Sequence, residues 1–253
     1  MILGNTDKFN GDGLVGFLDI LGFSREIKFK WGSEVDNPLD KILTLKENLA
    51  KHTNTALEVE GEKSLTGRMY FCRVQTISDS IVVSFGFDAN PDPGDLIFGT
   101  LHFFDTISVI WRNCLEVGFT IRGAGAFGPI YWNEKEIVGP SFIEAYELEK
   151  THAKTSRVIL SSSLNQRLAN MHKEAKTMWN DMMLKTLTKD IDGFISLNPH
   201  NLYSNNIDKQ YIIGLLTKMR DGTDGLNREK YTPLLACLST QKNGLVGGDL
   251  GKY

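Results

Sequence analysis

An apolar run near the N-terminus, residues 14–20, carries a single carboxylate, Asp19, just before its end. A nearly unbroken apolar run of this length is typical of a strand in a sheet that is covered on one or both faces. An isolated carboxylate is costly to bury unless a cation or hydrogen-bond donors meet it. The run then breaks into Gly22-Phe23-Ser24, which can begin a helix. We therefore expect Asp19 either to cap that helix or to bind a metal ion that carries a phosphate.

The composition is that of an ordinary globular protein. The 253 residues are 41% hydrophobic and 23% charged, with a formal net charge of −3. This length allows one large domain or a domain with an appendage. No basic tract indicates a nucleic-acid surface, no apolar stretch reaches the ~20 residues that span a bilayer, and residues 1–13 contain no apolar signal core. We expect a cytoplasmic protein that binds neither nucleic acid nor membrane.

The cysteines and histidines argue against two classes of site. Cys72, Cys114 and Cys237 form no close pair in the sequence. This spacing excludes a disulfide framework and a C-x-x-C zinc site, and it fits a reducing compartment. The five histidines are scattered and lack H-E-x-x-H spacing, so a zinc hydrolase is poorly supported.

The hydrophobic pattern predicts strands and helices that alternate around one sheet. Strand patterns occur at 14–20, over a hairpin at 68–85, over a strand–turn–strand unit at 119–132 with its bend at Gly128-Pro129, and at 157–160. Helical patterns occur at 40–56, from Asp95, from Pro140 and after 161–163. This order is typical of an α/β or α+β arrangement.

A second carboxylate, Asp79, lies in the turn Ser78-Asp79-Ser80 between two runs rich in β-branched and aromatic residues. Asp is common in turns because it bonds its own backbone, which is one explanation for its presence. The other explanation is chemical. Two carboxylates at strand ends can hold a pair of Mg²⁺ or Mn²⁺ ions, which complete their shells with water and phosphate.

The order of several motifs resembles the class III nucleotidyl cyclases. The motifs are residues 17–24 (FLDILGFS), 75–80 (QTISDS), 121–129 (IRGAGAFGP), 139–149 and 157–161 (RVILS). The first two are similar to the two metal motifs of that family. The resemblance implies a ferredoxin-like βαββαβ sheet with helices on one face, in an α+β fold. It covers roughly residues 14–170. We therefore expect a catalytic domain over 1–170 and a C-terminal helical extension over 171–253 that packs on the same domain or on a dimer interface.

Within that superfamily the chain is most similar to the bacterial pyrimidine cyclases of the Pycsar anti-phage systems. The length, the Ile-Arg-Gly-Ala strand at 121–124, the helix segment 145–149 and the late motif Asp190-Ile191-Asp192-Gly193 carry this resemblance. Such enzymes make cyclic UMP or cyclic CMP, which activates a separate effector in the infected cell.

The resemblance implies roles for individual residues. Asp19 and Asp79 would bind two divalent cations, Mn²⁺ or Mg²⁺, and the Ile20 carbonyl would be a backbone ligand. Backbone amides would hold the β- and γ-phosphates, at Gly22, Phe23 and Ser24. For Phe23 the alternative is a core contact beneath the loop.

The chain departs from the purine cyclases at three positions. Those enzymes usually carry a lysine four positions before the second aspartate, where this chain has Gln75. An amide both donates and accepts, so Gln75 could read a uracil or cytosine edge, or it could simply be a satisfied strand glutamine. The purine enzymes also place Asn and Arg on the helix that follows, where this chain has Ile143 and Glu147.

A cation must therefore come from elsewhere to meet the charge that develops on the phosphoryl group. Arg122 is the first candidate because it lies on the glycine-rich strand, and Arg25 and Arg157 are alternatives.

These inferences predict a homodimeric, metal-dependent nucleotide cyclase with two equivalent sites. It would convert UTP, or CTP, to the 3′,5′-cyclic monophosphate and pyrophosphate, a second messenger for anti-phage defence. The alternatives are an adenylyl or guanylyl cyclase and a catalytically inactive nucleotide-binding module of the same fold.

Overall fold

The computed structural model describes residues 8–58, 70–174, 178–223, 225–240, 244–245 and 250. The segment in which no signal core is found covers residues 1–13. Residues 1–7 of that segment lie outside the described ranges. No helix within the described ranges is long and apolar enough to cross a membrane.

The described residues form a mixed α+β fold. The strands are β1 Phe9–Leu21, β2 Tyr70–Ile77, β3 Ser80–Phe87, β4 Thr120–Trp132, β5 Ile137–Val138, β6 Val158–Leu160, β7 Leu187–Lys189 and β8 Ile195–Leu197. The helices are α1 Phe23–Lys30, α2 Pro38–Glu58, α3 Pro93–Glu116, α4 Pro140–His152, α5 Ser162–Glu174, α6 Met178–Lys185, α7 Asn206–Asp221, α8 Gly225–Arg228 and α9 Thr232–Ser239, with a 3₁₀ helix at Pro199–Leu202.

One sheet contains all of these strands in the order β2-β3-β1-β4-β6-β8-β7, and β5 pairs with β4. The long central strand β1 is antiparallel to both β3 and β4. Along the chain, β1, α2, β2, β3, α3 and β4 follow one another in βαββαβ order. Together with the strand order, this confirms the predicted ferredoxin-like sheet.

The alternation of side chains along β1 divides the core between two faces of the sheet. Leu14, Leu18 and Ile20 pack in one cluster with residues of α2 and α3. Val15 and Phe17 pack in a second cluster on the opposite face, together with Ala145 of α4. Asp19 continues the Val15–Phe17 alternation, so its side chain lies on the α4 face.

The segment after residue 171 belongs to the same core as the first two long helices. Strand β8 pairs with β6 and extends the sheet, and β7 pairs with β8. Leu216 of α7 and Leu238 of α9 are fully buried in the cluster that contains α2 and α3. The hydrophobic face of the C-terminal helices is therefore covered by the sheet together with α2 and α3.

The predicted bend at Gly128-Pro129 is wrong, because β4 runs unbroken from Thr120 to Trp132. Pro129 has no N–H to donate, which normally ends a central strand. Here β6 pairs with β4 only at residues 123–125, so no neighbouring strand requires a donor at position 129. The Pro129 carbonyl on that side accepts a hydrogen bond of 3.0 Å from the Ser141 hydroxyl. The reversal of the chain occurs four residues later, before β5.

Candidate active site

Asp19 lies at the end of β1, between two neighbouring strands. It is in register with Ser80, the first residue of β3, and with Arg122 on β4. Its side chain is 22% exposed. The carboxylate is therefore at the rim of the sheet, largely enclosed but still reachable from one side.

Asp79 occupies the turn of the β2–β3 hairpin beside the end of β1. The turn consists of Ser78 and Asp79, and Ser78 adopts a left-handed conformation with φ of 55°. The Ile20 backbone N–H donates a 3.0 Å hydrogen bond to the Asp79 carbonyl. This bond ties the turn to the strand that carries Asp19. The structure thus brings the two predicted metal-binding aspartates together through their backbones.

Arg122 bridges Asp19 to a buried carboxylate on α4. Its Nε donates to Asp19 Oδ2 at 3.0 Å, and its Nη2 lies 2.9 Å from the same oxygen. The Arg122 Nε is also 2.7 Å from Glu149 Oε1. Glu149 is only 4% exposed. Arg122 therefore shares its charge between two carboxylates and lies within the site, next to Asp19.

The charges in this cluster explain the direction of two pKa shifts. Burial raises the pKa of Asp19 above its ordinary value, the Arg122 guanidinium opposes this rise, and the nearby negative charge of Asp79 adds to it. Burial also raises the pKa of Glu149, again against the influence of Arg122. Both carboxylates would gain from another positive charge close by.

The two aspartates fit a hard divalent cation. Asp19 offers its second oxygen, which Arg122 does not occupy, and Asp79 lies half-buried in the turn next to it. The backbone carbonyl of Ile20 continues the same strand end. Mg²⁺ and Mn²⁺ prefer such oxygen donors and usually take only one or two carboxylates, with water and phosphate completing the shell. The donor set is poor in nitrogen and sulfur, and it does not suit zinc.

The residues after β1, for which a phosphate cradle is predicted, form a helix start. Gly22 has φ of 86°, a conformation that glycine adopts without strain, and α1 begins at the next residue. The Gly22 carbonyl accepts from Glu26 N–H at 3.0 Å. The first amides of a helix, here those that begin at Phe23 and Ser24, have no acceptor within the helix and favour anions. The Phe23 ring packs edge-on against Phe119 with centroids 5.8 Å apart, so its side chain makes a core contact while its amide stays at the helix start.

Gln75 does not reach the two aspartates within one chain. It lies on β2, and β3 separates it from β1. Its Nε2 donates to the Lys135 carbonyl at 3.3 Å, and its Oε1 is buried without a hydrogen-bond partner among the residues that the structure describes. Arg73, on the same face of β2, donates to the Glu134 carbonyl at 2.6 Å. The turn between β4 and β5 therefore covers this part of β2.

The structure locates the two alternative cations, Arg157 and Arg25. It also locates Ile143 and Glu147, which stand where purine cyclases have Asn and Arg. Arg157 forms ion pairs with Asp190 at 3.0 Å and Asp192 at 2.7 Å, within the late acidic motif. Arg25 lies on α1, next to the cradle. Ile143 is 50% exposed on α4, and Glu147 is also exposed there.

Sequence reasoning missed the role of Glu149. The signal was available, since Ala145 and Glu149 are four positions apart and lie on the same buried side of α4. A carboxylate on the buried side of a helix predicts a cationic partner across the interface.

Comparison with known proteins yields no match to a family model and none to a curated protein. Among solved structures, the crystal structure of a guanylyl cyclase matches 76% of this chain and 93% of its own, with 14% identity and a TM-score of 0.40. A bacterial light-regulated adenylyl cyclase matches 85% of this chain and 59% of its own, with 11% identity and a TM-score of 0.42. At these levels of similarity, the site residues themselves have to support any assignment of function.

Proposed function

We propose that this chain is a metal-dependent nucleotide cyclase that converts a pyrimidine nucleoside triphosphate, UTP or CTP, to its 3′,5′-cyclic monophosphate and pyrophosphate. The observation that carries the proposal is the pairing of Asp19 and Asp79 through the Ile20–Asp79 backbone hydrogen bond, directly before the helix start at Gly22. Two carboxylates beside a phosphate cradle are the parts that a triphosphate with its cations requires.

Asp19 and Asp79 would hold two divalent cations, with the Ile20 carbonyl as a further ligand. When bound, such ions lower the pKa of a hydroxyl nucleophile and take charge from the departing pyrophosphate. The residues of the chain position the triphosphate. The amides at the start of α1 hold the β- and γ-phosphates, which orients the α-phosphorus beside the aspartates.

In the reaction the ribose 3′-oxygen bonds to the α-phosphorus, the bond from that phosphorus to the pyrophosphate oxygen breaks, and the 3′-hydroxyl proton leaves to solvent. The chemistry needs no side-chain nucleophile. Arg122 is the guanidinium beside Asp19, and its place in the cluster suits it to meet charge on the phosphoryl group. Glu149 limits how far Arg122 can move from that position.

The base would be read by a second copy of the chain. Within one chain, two strand spacings of about 4.8 Å separate β2, which carries Gln75, from β1, which carries Asp19. The α4 face of the sheet carries exposed apolar side chains, among them Ile77 and Ile143 at 54% and 50% exposure. A symmetric dimer through this face would cover them and bring Gln75 of one protomer toward the aspartates of its partner.

The pyrimidine preference rests on Gln75 and on the resemblance to the Pycsar cyclases. The buried Oε1 of Gln75 lacks a partner among the described residues, and a base N–H would supply the missing donor once the β4–β5 turn, which Gln75 Nε2 contacts at the Lys135 carbonyl, moves aside. In that setting the cyclic nucleotide would act as a second messenger that activates a separate effector against phage.

The test is incubation of the purified protein with Mn²⁺ and each of the four ribonucleoside triphosphates, with products identified by mass spectrometry. We expect cyclic UMP or cyclic CMP. Asp19→Asn and Asp79→Asn should each lower turnover by about a hundredfold or more, because each removes a charged metal ligand. Asp88→Asn is the matched control, since Asp88 is an exposed aspartate directly after β3, at the opposite end of that strand.

Each other outcome has a defined meaning. Product from ATP or GTP alone would overturn the pyrimidine assignment and leave a purine cyclase. Absence of product from all four nucleotides, with nucleotide binding retained, would favour the inactive binding module. Near-normal turnover in either aspartate variant would contradict the two-metal account.

A further inference from the structure

A pocket lies beside the start of α1, between that helix and the C-terminal segment. Its empty volume is about 710 Å³, with the open side included. Gly22 and Arg25 line one wall, and Lys230 and Tyr231 line another. The pocket is therefore shared between the predicted phosphate cradle and a segment more than 200 residues later in the sequence.

The C-terminal wall of this pocket is held firmly in place. Tyr231 is 7% exposed and belongs to the main hydrophobic core. The Lys230 carbonyl accepts a 3.0 Å hydrogen bond from the Ser156 N–H, just before β6. A Cβ added to Gly22 would lie 3.8 Å from the Tyr231 hydroxyl, so the two walls are close together at the cradle. The backbone that carries Lys230 is thus fixed to the catalytic sheet.

The charges that line this pocket are unequal. Among the described residues, the one carboxylate in its lining is that of Glu26, which is paired with Lys30 at 3.1 Å and with Lys41 at 2.7 Å. Lys230 is half-buried and forms no ion pair with any carboxylate in the part of the chain that the structure describes. A lysine with no carboxylate partner among the described residues thus lines the same pocket as Gly22 of the predicted cradle.

We propose that Lys230 binds the terminal phosphates of the nucleoside triphosphate, so that the C-terminal segment completes the active site. This inference rests on the proposed function for the identity of the substrate. A lysine ammonium on a flexible stem is a strong hydrogen-bond donor to phosphate oxygens, and here it would act together with the amides of α1. The segment beyond the ferredoxin-like core then has a direct part in substrate binding.

The test uses the full-length protein and inorganic tripolyphosphate with Mg²⁺ as the probe, because this probe carries the phosphates without ribose or base. Binding is measured by calorimetry. Lys230→Ala should weaken the affinity by about tenfold or more, the loss of one charge-assisted hydrogen bond, and Lys230→Arg should restore most of it. Lys218→Ala is the control, an exposed lysine on α7 in the same segment. The thermal midpoint of Lys230→Ala should match that of the wild type, since the substitution keeps the backbone bond to Ser156.

Unchanged affinity in a folded Lys230→Ala variant would overturn the inference. The same follows if the wild type does not bind tripolyphosphate, or if Lys218→Ala weakens binding equally, since the attraction would then be general. If tripolyphosphate binds through Lys230 and no cyclic nucleotide forms from any triphosphate, the proposed reaction fails while the phosphate site stands.

Discussion

The backbone N–H of Ile20 donates a 3.0 Å hydrogen bond to the backbone carbonyl of Asp79. This bond joins the end of the central strand to the tight turn of the neighbouring hairpin. The aspartates at positions 19 and 79 are therefore placed by backbone geometry, and only their side-chain torsions remain to be set. A site built on strand ends in this way is organised before a cation or nucleotide arrives.

Glu149→Gln should weaken cation binding at Asp19. Arg122 now divides its charge between Glu149 and Asp19, and neutralising Glu149 would leave Asp19 as its sole carboxylate partner in this cluster. Asp19 would then share more of its negative charge with Arg122 and would attract a cation at its second oxygen less strongly. We expect about a tenfold loss of Mn²⁺ affinity, as for other residues that support a metal ligand, measured by electron paramagnetic resonance titration.

Glu147→Gln is the control for that experiment, because Glu147 is an exposed residue two positions earlier on α4. It should leave Mn²⁺ affinity unchanged. Equal affinities for Glu149→Gln and the wild type would show that the Arg122 bridge has no influence on the metal site.

Gln75→Lys should shift the substrate preference toward purines. The wild-type amide can both donate to and accept from a base, whereas a lysine can only donate. The ratio of kcat/KM for the preferred pyrimidine triphosphate to that for ATP should fall by about tenfold or more, since a site that pairs with a base edge discriminates strongly against its loss. Gln166→Lys, an exposed position on α5, controls for the added charge. An unchanged ratio would remove Gln75 from base recognition.

Protonation of His102, on α3, should lower the free energy of unfolding in acid. Its Nδ1 is hydrogen-bonded to the Tyr70 hydroxyl of β2, and burial lowers the pKa of His102 below its ordinary value. The folded state thus prefers the neutral ring more than the unfolded state does. The resulting stability is fully present above the unfolded pKa of about 6.5 and is lost as pH falls through the folded value.

The measurement is the urea midpoint between pH 7.5 and pH 5, compared for the wild type and His102→Gln. Because other groups titrate in this window, the informative quantity is the difference between the two curves. That difference should shrink as the pH falls. His152→Gln, at an exposed histidine of α4, should run parallel to the wild type, and parallel curves for His102→Gln would contradict the assignment.

Local pattern was sufficient for much of the fold. The apolar run of β1, the turn chemistry at Ser78 and Asp79, and the Pro140 helix start each predict their elements, because periodicity and turn preference act over a few residues. The bend predicted at Gly128-Pro129 failed for a reason outside that range. Proline ends a strand where a neighbouring strand needs the backbone N–H that proline lacks. At position 129 no such need arises, because β6 pairs with β4 only at residues 123–125.

The sequence by itself determined which chemistry is available: two aspartates at predicted strand ends, a glycine before a helix, and a glutamine where purine cyclases have lysine. Tertiary structure alone decided the partners of those residues. Arg122 and Glu149 meet because α4 packs on the face of β1 that carries Asp19, and Lys230 reaches the same region because the C-terminal helices share the main core. Ion pairs and pockets depend on how whole elements pack, and no short stretch of sequence encodes that packing.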